Sequence, residues 1–119
     1  MIKIVRFVKK RKDLTMEEFR QYWLTKHSEL EKMVVQKTPV RKITASFATG
    51  ELKGGKELPF DGLAEIYFDS VEDMNVFYAS EIHKTGVMRK DEVNFVEMTA
   101  DPVRVVTEEY VVAEKPRSN

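Results

Sequence analysis

The sequence has no cysteine, which excludes disulfides, thiolate nucleophiles and thiolate metal sites together. It also lacks an excess charge of either sign, since twenty Lys and Arg balance twenty Asp and Glu. No net field therefore draws the chain to nucleic acid or to an anionic membrane. Histidine is scarce, at two residues, so a metal site of three histidines is impossible, and no carboxylate spacing suggests a mixed one. No apolar run approaches the length of a membrane span. Met1 to Val8, interrupted by Lys3 and Arg6, is too short for a signal peptide. These absences lead us to expect a cytoplasmic protein with no metal, no nucleic-acid partner and no membrane.

Two short motifs are set aside on the same grounds. Lys9-Lys10-Arg11-Lys12 has no interleaved aromatics and reads as a solvated turn before a helix. Gly54-Gly55-Lys56 lacks the P-loop spacing and no helix follows it.

What remains is 119 residues with 42% hydrophobic content, enough for one domain with a real core and too little for two. The expected domain is 1–114, followed by a polar tail, 115–119.

Met1 to Val8 alternates, but both faces are apolar: Ile2, Ile4 and Val8 on one, Val5 and Phe7 on the other. That suits a strand covered on both sides. Asp13 or Thr15 caps the next segment, with Glu18 completing a capping box. Thr15 to Gln36 is an amphipathic helix whose stripe is Met16, Phe19, Trp23, Leu30 and Val34, with Glu31 among the residues outside it. Pro39 stops that helix, and Val40 to Thr49 forms a second strand with Ile43, Ala45 and Phe47 on one face. Gly50 to Gly62 has the composition of a hairpin connection, and Leu63 to Phe68 is a third strand. Ser70, with Glu72 and Asp73 after it, caps a second helix carrying Val71, Met74, Phe77 and Tyr78. It breaks near Ser80 and resumes through Ile82, His83 and Val87, leaving room beneath. Pro102 to Thr107 is the fourth strand, continued by an extended Glu108 to Val112.

The order β-α-β-β-α-β is ferredoxin-like: an α+β fold with a four-stranded antiparallel sheet and both helices on one face. Because strand residues are apolar on both sides, the free face needs a cover, and two subunits packed sheet against sheet supply one as an isologous homodimer.

Candidate chemistry centres on His27, displaced roughly 50° from the centre of the stripe and so bordering the core or a cavity beneath the helix. A half-buried histidine bonded to a backbone carbonyl is the structural alternative. Glu65 interrupts an apolar strand, on a face shared with Leu63 and Tyr67. It is either ion-paired with Arg6 or Arg104, or a pocket carboxylate. On the helix side of the sheet it would orient the His27 ring. Arg6, Tyr22, Trp23, Tyr67 and His83 are the candidate substrate contacts. Trp23 is also read as core, and His83, beside Glu81 and Lys84, as solvent-exposed. The hydroxyls of Tyr22 and Tyr67 suit them to grip a substrate oxygen.

Three blocks, in order, resemble the EthD family of dimeric α/β-barrel proteins. They are Tyr22-Trp23 with His27 and Leu30, Asp61-Gly62-Leu63-Ala64-Glu65-Ile66-Tyr67-Phe68-Asp69-Ser70, and Val106-Thr107-Glu108-Glu109-Tyr110-Val111-Val112. The resemblance brings in an accessory protein of alkyl ether degradation, methylmuconolactone isomerases of aromatic catabolism, and polyketide cyclases and dehydratases. It implies cofactor-free proton transfer on a small lactone or carbonyl compound, with His27 at the position of the family's acid or base. Ser80-Glu81-Ile82-His83-Lys84 looks like the isomerases' pocket-lining region. Ile66 stands where those isomerases carry a cysteine after the strand glutamate, which departs from their route. The expected function is an isomerase, cyclase or dehydratase using His27 and Glu65. The alternatives are a non-catalytic small-molecule-binding accessory protein or, from dimeric α/β-barrel relatives outside the family, a cofactor-free monooxygenase.

Overall fold

Strand β1 (Ile2–Val8) lies inside the sheet, antiparallel to β3 (Gly62–Phe68) on one side and to β4 (Val103–Glu108) on the other. β2 (Lys42–Phe47) pairs antiparallel with β3 at the edge, giving the order β2-β3-β1-β4. The coordinates are a computed structural model that describes residues 1–50, 60–98 and 103–117. Between β1 and β2 come α1 (Met16–Tyr22), a π-helical turn (Trp23–His27) and α2 (Ser28–Lys37). Between β3 and β4 come α3 (Val71–Ala79), α4 (Glu81–Thr85) and α5 (Val87–Glu92). The architecture is the expected α+β ferredoxin-like one.

Local chemistry explains most element starts. The Thr15 hydroxyl accepts from the Glu18 N–H at 3.1 Å while the Glu18 carboxylate accepts from the Thr15 N–H at 2.9 Å, a complete capping box. Ser70 caps α3 through the Asp73 N–H. Ser80 is extended, which ends α3, and its hydroxyl then caps α4. Gly86, at φ 69°, turns the chain between α4 and α5 in the left-handed region that glycine tolerates best. Strand ends differ from expectation. The second strand is shorter than Val40 to Thr49, and the fourth ends one residue later, at Glu108. Gly62 belongs to β3, and most of the expected hairpin connection, 51–59, lies outside the described residues, as do Asp101 and Pro102.

One deviation from the regular helix expected over Thr15 to Gln36 matters for the site. The Ser28 N–H reaches the Trp23 carbonyl, five residues back, so the helix carries one extra residue in that turn. Everything after it is rotated relative to an ideal α-helix. His27, expected at the margin of the stripe, is buried at 4% exposure, and Glu31, expected outside the stripe, swings inward until its carboxylate accepts from the Trp23 Nε1–H at 3.1 Å.

The register decides which strand face meets the helices. Ile4 pairs with Ile66 and Arg6 with Ala64, while Ile43 and Ala45 of β2 stand beside Ile66 and Ala64. Gly62 lies on this face beneath the first helical segment, where a Cβ would come within 3.2 Å of the Trp23 ring and 3.3 Å of Phe19. Two core clusters fill the space between sheet and helices. One is Ile4, Val34, Val40, Phe68 and Phe77; the other is Val8, Phe19, Trp23, Phe95 and Val96.

Glu65 is therefore on the opposite face. It pairs with Lys3, and the Tyr67 hydroxyl donates to it at 3.4 Å. The expectation that it orients His27 from the helix side fails for this reason, and the alternative pairing with Arg6 or Arg104 is replaced by Lys3. Tyr67 shares that face, with the Lys42 ammonium 4.4 Å from its ring centre. β4 and the chain after it leave apolar surface uncovered: Val105 is 50% exposed and Val112 95%. Among the described residues no helix is long and apolar enough to cross a membrane.

Candidate active site

The walls of a cavity of about 480 Å³ are drawn from both core clusters, a volume suited to a small organic molecule. Much of its lining is apolar, from Ile4, Val34, Ile66, Phe77, Met88 and Phe95. His27, Glu31, Arg6 and Glu92 bring polar chemistry into it. The broken helical run from α3 to α5 supplies the other wall, as the sequence led us to expect.

His27 closes the π turn, so its position is set by the extra residue. Its Nδ1 lies 2.9 Å from Oδ2 of Asp91 on α5. Asp91 Oδ1 accepts from the Tyr22 hydroxyl at 2.7 Å and from Asn94 Nδ2 at 3.1 Å. Burial works to raise the Asp91 pKa, but the bonds from His27, Tyr22 and Asn94 outweigh it and hold the carboxyl below its ordinary range. Burial and the bond to Asp91 push the Tyr22 hydroxyl up, so it remains a donor. An ionised Asp91 accepts the Nδ1 proton and thereby fixes the tautomer in which Nε2 carries the lone pair. Nε2 makes no hydrogen bond among the described residues. Phe95, its ring centre 4.8 Å from that of His27, and Trp23 at 6.4 Å pack around the imidazole.

The segment that delivers Asp91 is anchored to the sheet. Arg11 N–H donates to the Phe95 carbonyl at 2.8 Å and Glu97 N–H to the Lys9 carbonyl at 2.9 Å, so the chain after α5 is tied to the end of β1. Asp91 is consequently held against the helix that carries His27.

A second polar group lies in the same cavity. Arg6, on the helix face of β1, donates from a terminal nitrogen to Glu92 Oε1 at 2.5 Å. Glu92 is 6% exposed. Its other oxygen, Oε2, and the Arg6 Nε–H are buried with no hydrogen-bond partner among the described residues. Glu31 also lines the cavity; burial pushes its pKa up to about 7, opposed by the Trp23 N–H and reinforced by the Glu92 charge.

Of the residues singled out from sequence, His27, Arg6, Trp23 and His83 line the cavity. Tyr22 is joined to the histidine through Asp91. His83 is exposed at the rim, its ring centre 5.1 Å from that of Phe77. Glu65 and Tyr67 are on the far side of the sheet and do not meet the others. Sequence reasoning missed Asp91, Glu92 and the inward turn of Glu31. A signal existed for the first two: Asp91, Glu92, Phe95 and Val96 repeat at helical spacing and converge on the core. Among the described residues no cluster of three or more His, Asp or Glu is arranged to hold a metal ion.

The chain resembles several solved structures along nearly its whole length. An EthD family protein from Bacillus halodurans superposes with a TM-score of 0.68 at 19% identity, covering 92% of this chain and 99% of that one. An EthD-like protein from Ralstonia eutropha gives 0.67 at 19% identity, covering 96% and 94%. A dimeric protein of unknown function and ferredoxin-like fold from Bacteroides fragilis gives 0.58 at 18% identity, covering 91% and 95%. At these identities the likeness shows the fold. No curated protein sequence matches significantly. The EthD domain model matches residues 11–99, three quarters or so of the length and the whole of the His27–Asp91 pairing, and the chain belongs to the EthD domain family.

Proposed function

We propose that this protein is a cofactor-free proton-transfer enzyme, an isomerase, cyclase or dehydratase, acting on a small carbonyl compound or lactone in the cavity between the two core clusters. The observation that carries this reading is the His27–Asp91 contact at 2.9 Å beside a cavity of about 480 Å³. A buried imidazole with a fixed tautomer is a prepared base.

In the proposed step, His27 Nε2 removes a proton from the carbon next to the substrate carbonyl, leaving an enolate and a protonated imidazole whose charge Asp91 balances. The same proton then returns to a different carbon, which isomerises the substrate, or goes to a hydroxyl that departs as water, which dehydrates it. Such general acid-base assistance typically contributes about 10²- to 10⁴-fold. Tyr22 and Asn94 keep Asp91 ionised and in place, a positioning role. Trp23, Phe95 and the aliphatic walls exclude water and accept an aromatic-derived or polyketide-like skeleton. His83 at the rim contacts the substrate as it enters.

We further infer a homodimer formed sheet to sheet. Support comes from the uncovered valines of β4 and from the exposed Val111 and Val112 beyond it, surface that a second copy would bury. The similar protein from Bacteroides fragilis is dimeric.

The test is turnover of muconolactones and reactive polyketide-like ketones by wild-type protein and His27→Ala, after both are shown to fold alike. Turnover lost only in the variant supports the reading. Turnover that survives, or saturable binding without turnover in both, overturns it, the latter in favour of a binding role.

A further inference from the structure

When His27 takes a proton from carbon, negative charge builds on the substrate carbonyl oxygen, and the step is slow unless a donor meets it there. Glu31 is placed to be that donor. It lies four residues after His27, where the helical run passes from His27 into α2, so the two side chains leave one face a single turn apart, with Cβ atoms about 5–6 Å from each other. Both residues line the cavity. The α-carbon and the carbonyl oxygen of a ketone or lactone are two bonds apart, so one molecule can meet both groups. The Glu31 carboxyl is half-buried and takes one donor among the described residues, the Trp23 Nε1–H, which its two oxygens share at 3.1 and 3.3 Å. The remaining lone pairs are left for a proton and a ligand.

No cation among the described residues neutralises Glu31. From the elements packed against α2 it meets His27 of the π turn, Glu92 of α5, and the apolar Ile43 and Ala45 side of β2. Arg6 lines the same cavity but is held by Glu92 at 2.5 Å, and Arg104, opposite Arg6 in the register, is exposed on β4. Burial and the Glu92 charge therefore push the Glu31 pKa up to about 7, and much of it is a neutral acid at neutral pH. A guanidinium steadies an oxyanion but has no proton to give, whereas a neutral carboxyl can donate one. We infer that Glu31 is a catalytic acid of the site, its carboxyl proton passing to the substrate carbonyl oxygen while His27 Nε2 takes the α-proton. The C–H electron pair becomes the C=C bond and the carbonyl π pair moves to oxygen, so the step ends as a neutral enol beside an ionised Glu31 and a protonated His27. Return of the His27 proton to a different carbon, with Glu31 recovering its own from the enol O–H, completes an isomerisation. This rests on the reading of His27 as the base of a proton-transfer enzyme and supplies the second proton carrier.

The test uses 2,4-dinitrophenol, a phenolate throughout the pH range read, whose oxygen stands for the enolate oxygen. Binding is followed by the fluorescence of Trp23, the single tryptophan of the chain, which bonds Glu31. In His27→Gln, where that imidazole no longer titrates in the cavity, affinity should be about ten- to a hundredfold higher below pH 7 than above it, as Glu31 loses its proton. Adding Glu31→Gln, which keeps an N–H donor but has no proton to lose, should abolish that step. Should His27→Gln fail to fold, the same difference is read between wild type and Glu31→Gln. In α-proton exchange on muconolactones and reactive polyketide-like ketones, Glu31→Gln alone should lower kcat about 10²- to 10⁴-fold with KM little changed, and should lose the fall in rate above pH 7 that wild type shows. Affinity flat with pH before Glu31 is changed, a step that persists after it is changed, or no binding of the phenolate overturns the inference. So does affinity that is flat with pH and lost in Arg104→Gln, which assigns the oxyanion to Arg104. The outcome is separable from the proposed function. A Glu31-dependent step without α-proton exchange sinks the enzyme and keeps Glu31 as an oxyanion donor, and His27-dependent exchange unchanged in Glu31→Gln does the reverse.

Discussion

His27 and Asp91, 64 positions apart in the chain, meet at 2.9 Å because a π-helical turn carries one inward and the anchored segment after α5 holds the other in place. Neither residue could occupy its position from local sequence alone. The pairing is a product of the fold, and it defines which imidazole nitrogen is available for chemistry.

Asp91→Asn tests that definition. An asparagine offers an N–H to His27 Nδ1, which reverses the tautomer and puts the proton on Nε2 with little change of shape. The expected result is a loss of about 10²- to 10⁴-fold in kcat with the fold retained. Nitrogen chemical shifts of the imidazole would report the tautomer exchange directly.

Glu31 gives a pH-dependent prediction. Its folded pKa of about 7 lies above the ordinary glutamate value, so between about pH 4.3 and pH 7 the native state binds more protons than the unfolded one. Stability attributable to this group is thus complete below the lower value and is lost as pH rises through 7. Glu31→Gln removes the loss while keeping an oxygen for the Trp23 N–H. Relative to wild type, the variant should gain on the order of 2 kcal/mol between pH 5 and pH 8, measured by urea unfolding at the two values.

Gly62→Ala should destabilise the protein by about 1 kcal/mol or more, because the new methyl presses on Trp23 and Phe19, both buried in the aromatic cluster and unable to withdraw freely. Thermal unfolding checks this, and a normal melt would mean that the helix can lift from the sheet.

Val105→Lys addresses assembly. The side chain lies on the strand face away from the helices, opposite Val5 on β1, and a lysine there would bury a charge in the inferred interface. The dimer dissociation constant should rise about a hundredfold or more, read by sedimentation, with the monomer still folded.

The legibility of these features follows how local their causes are. The capping box at Thr15 and Glu18 was readable because both partners lie within one turn. The strand order was readable because connection lengths and apolar patterning leave few alternatives. The face on which Glu65 falls was not, since β1 and β3 are apolar on both sides; Gly62 settles it by fitting beneath Trp23 and Phe19. His27 was visible as a polar residue on an apolar helix, but the extra residue at Trp23–His27 depends on tertiary packing and bears no composition signal. Asp91 and Glu92 were hidden by the charged run Arg89-Lys90-Asp91-Glu92, which reads as solvated surface until Phe95 and Val96 are counted with it.

The central claim is that His27 takes a proton from carbon under the direction of Asp91. Exchange of substrate α-protons for deuterium, followed by proton NMR in deuterium oxide on muconolactones and reactive polyketide-like ketones, tests it most directly. The account predicts exchange catalysed by wild-type protein, slowed by about 10² or more in Asp91→Asn and reduced to the uncatalysed rate in His27→Gln. Exchange that proceeds equally well in all three would contradict it.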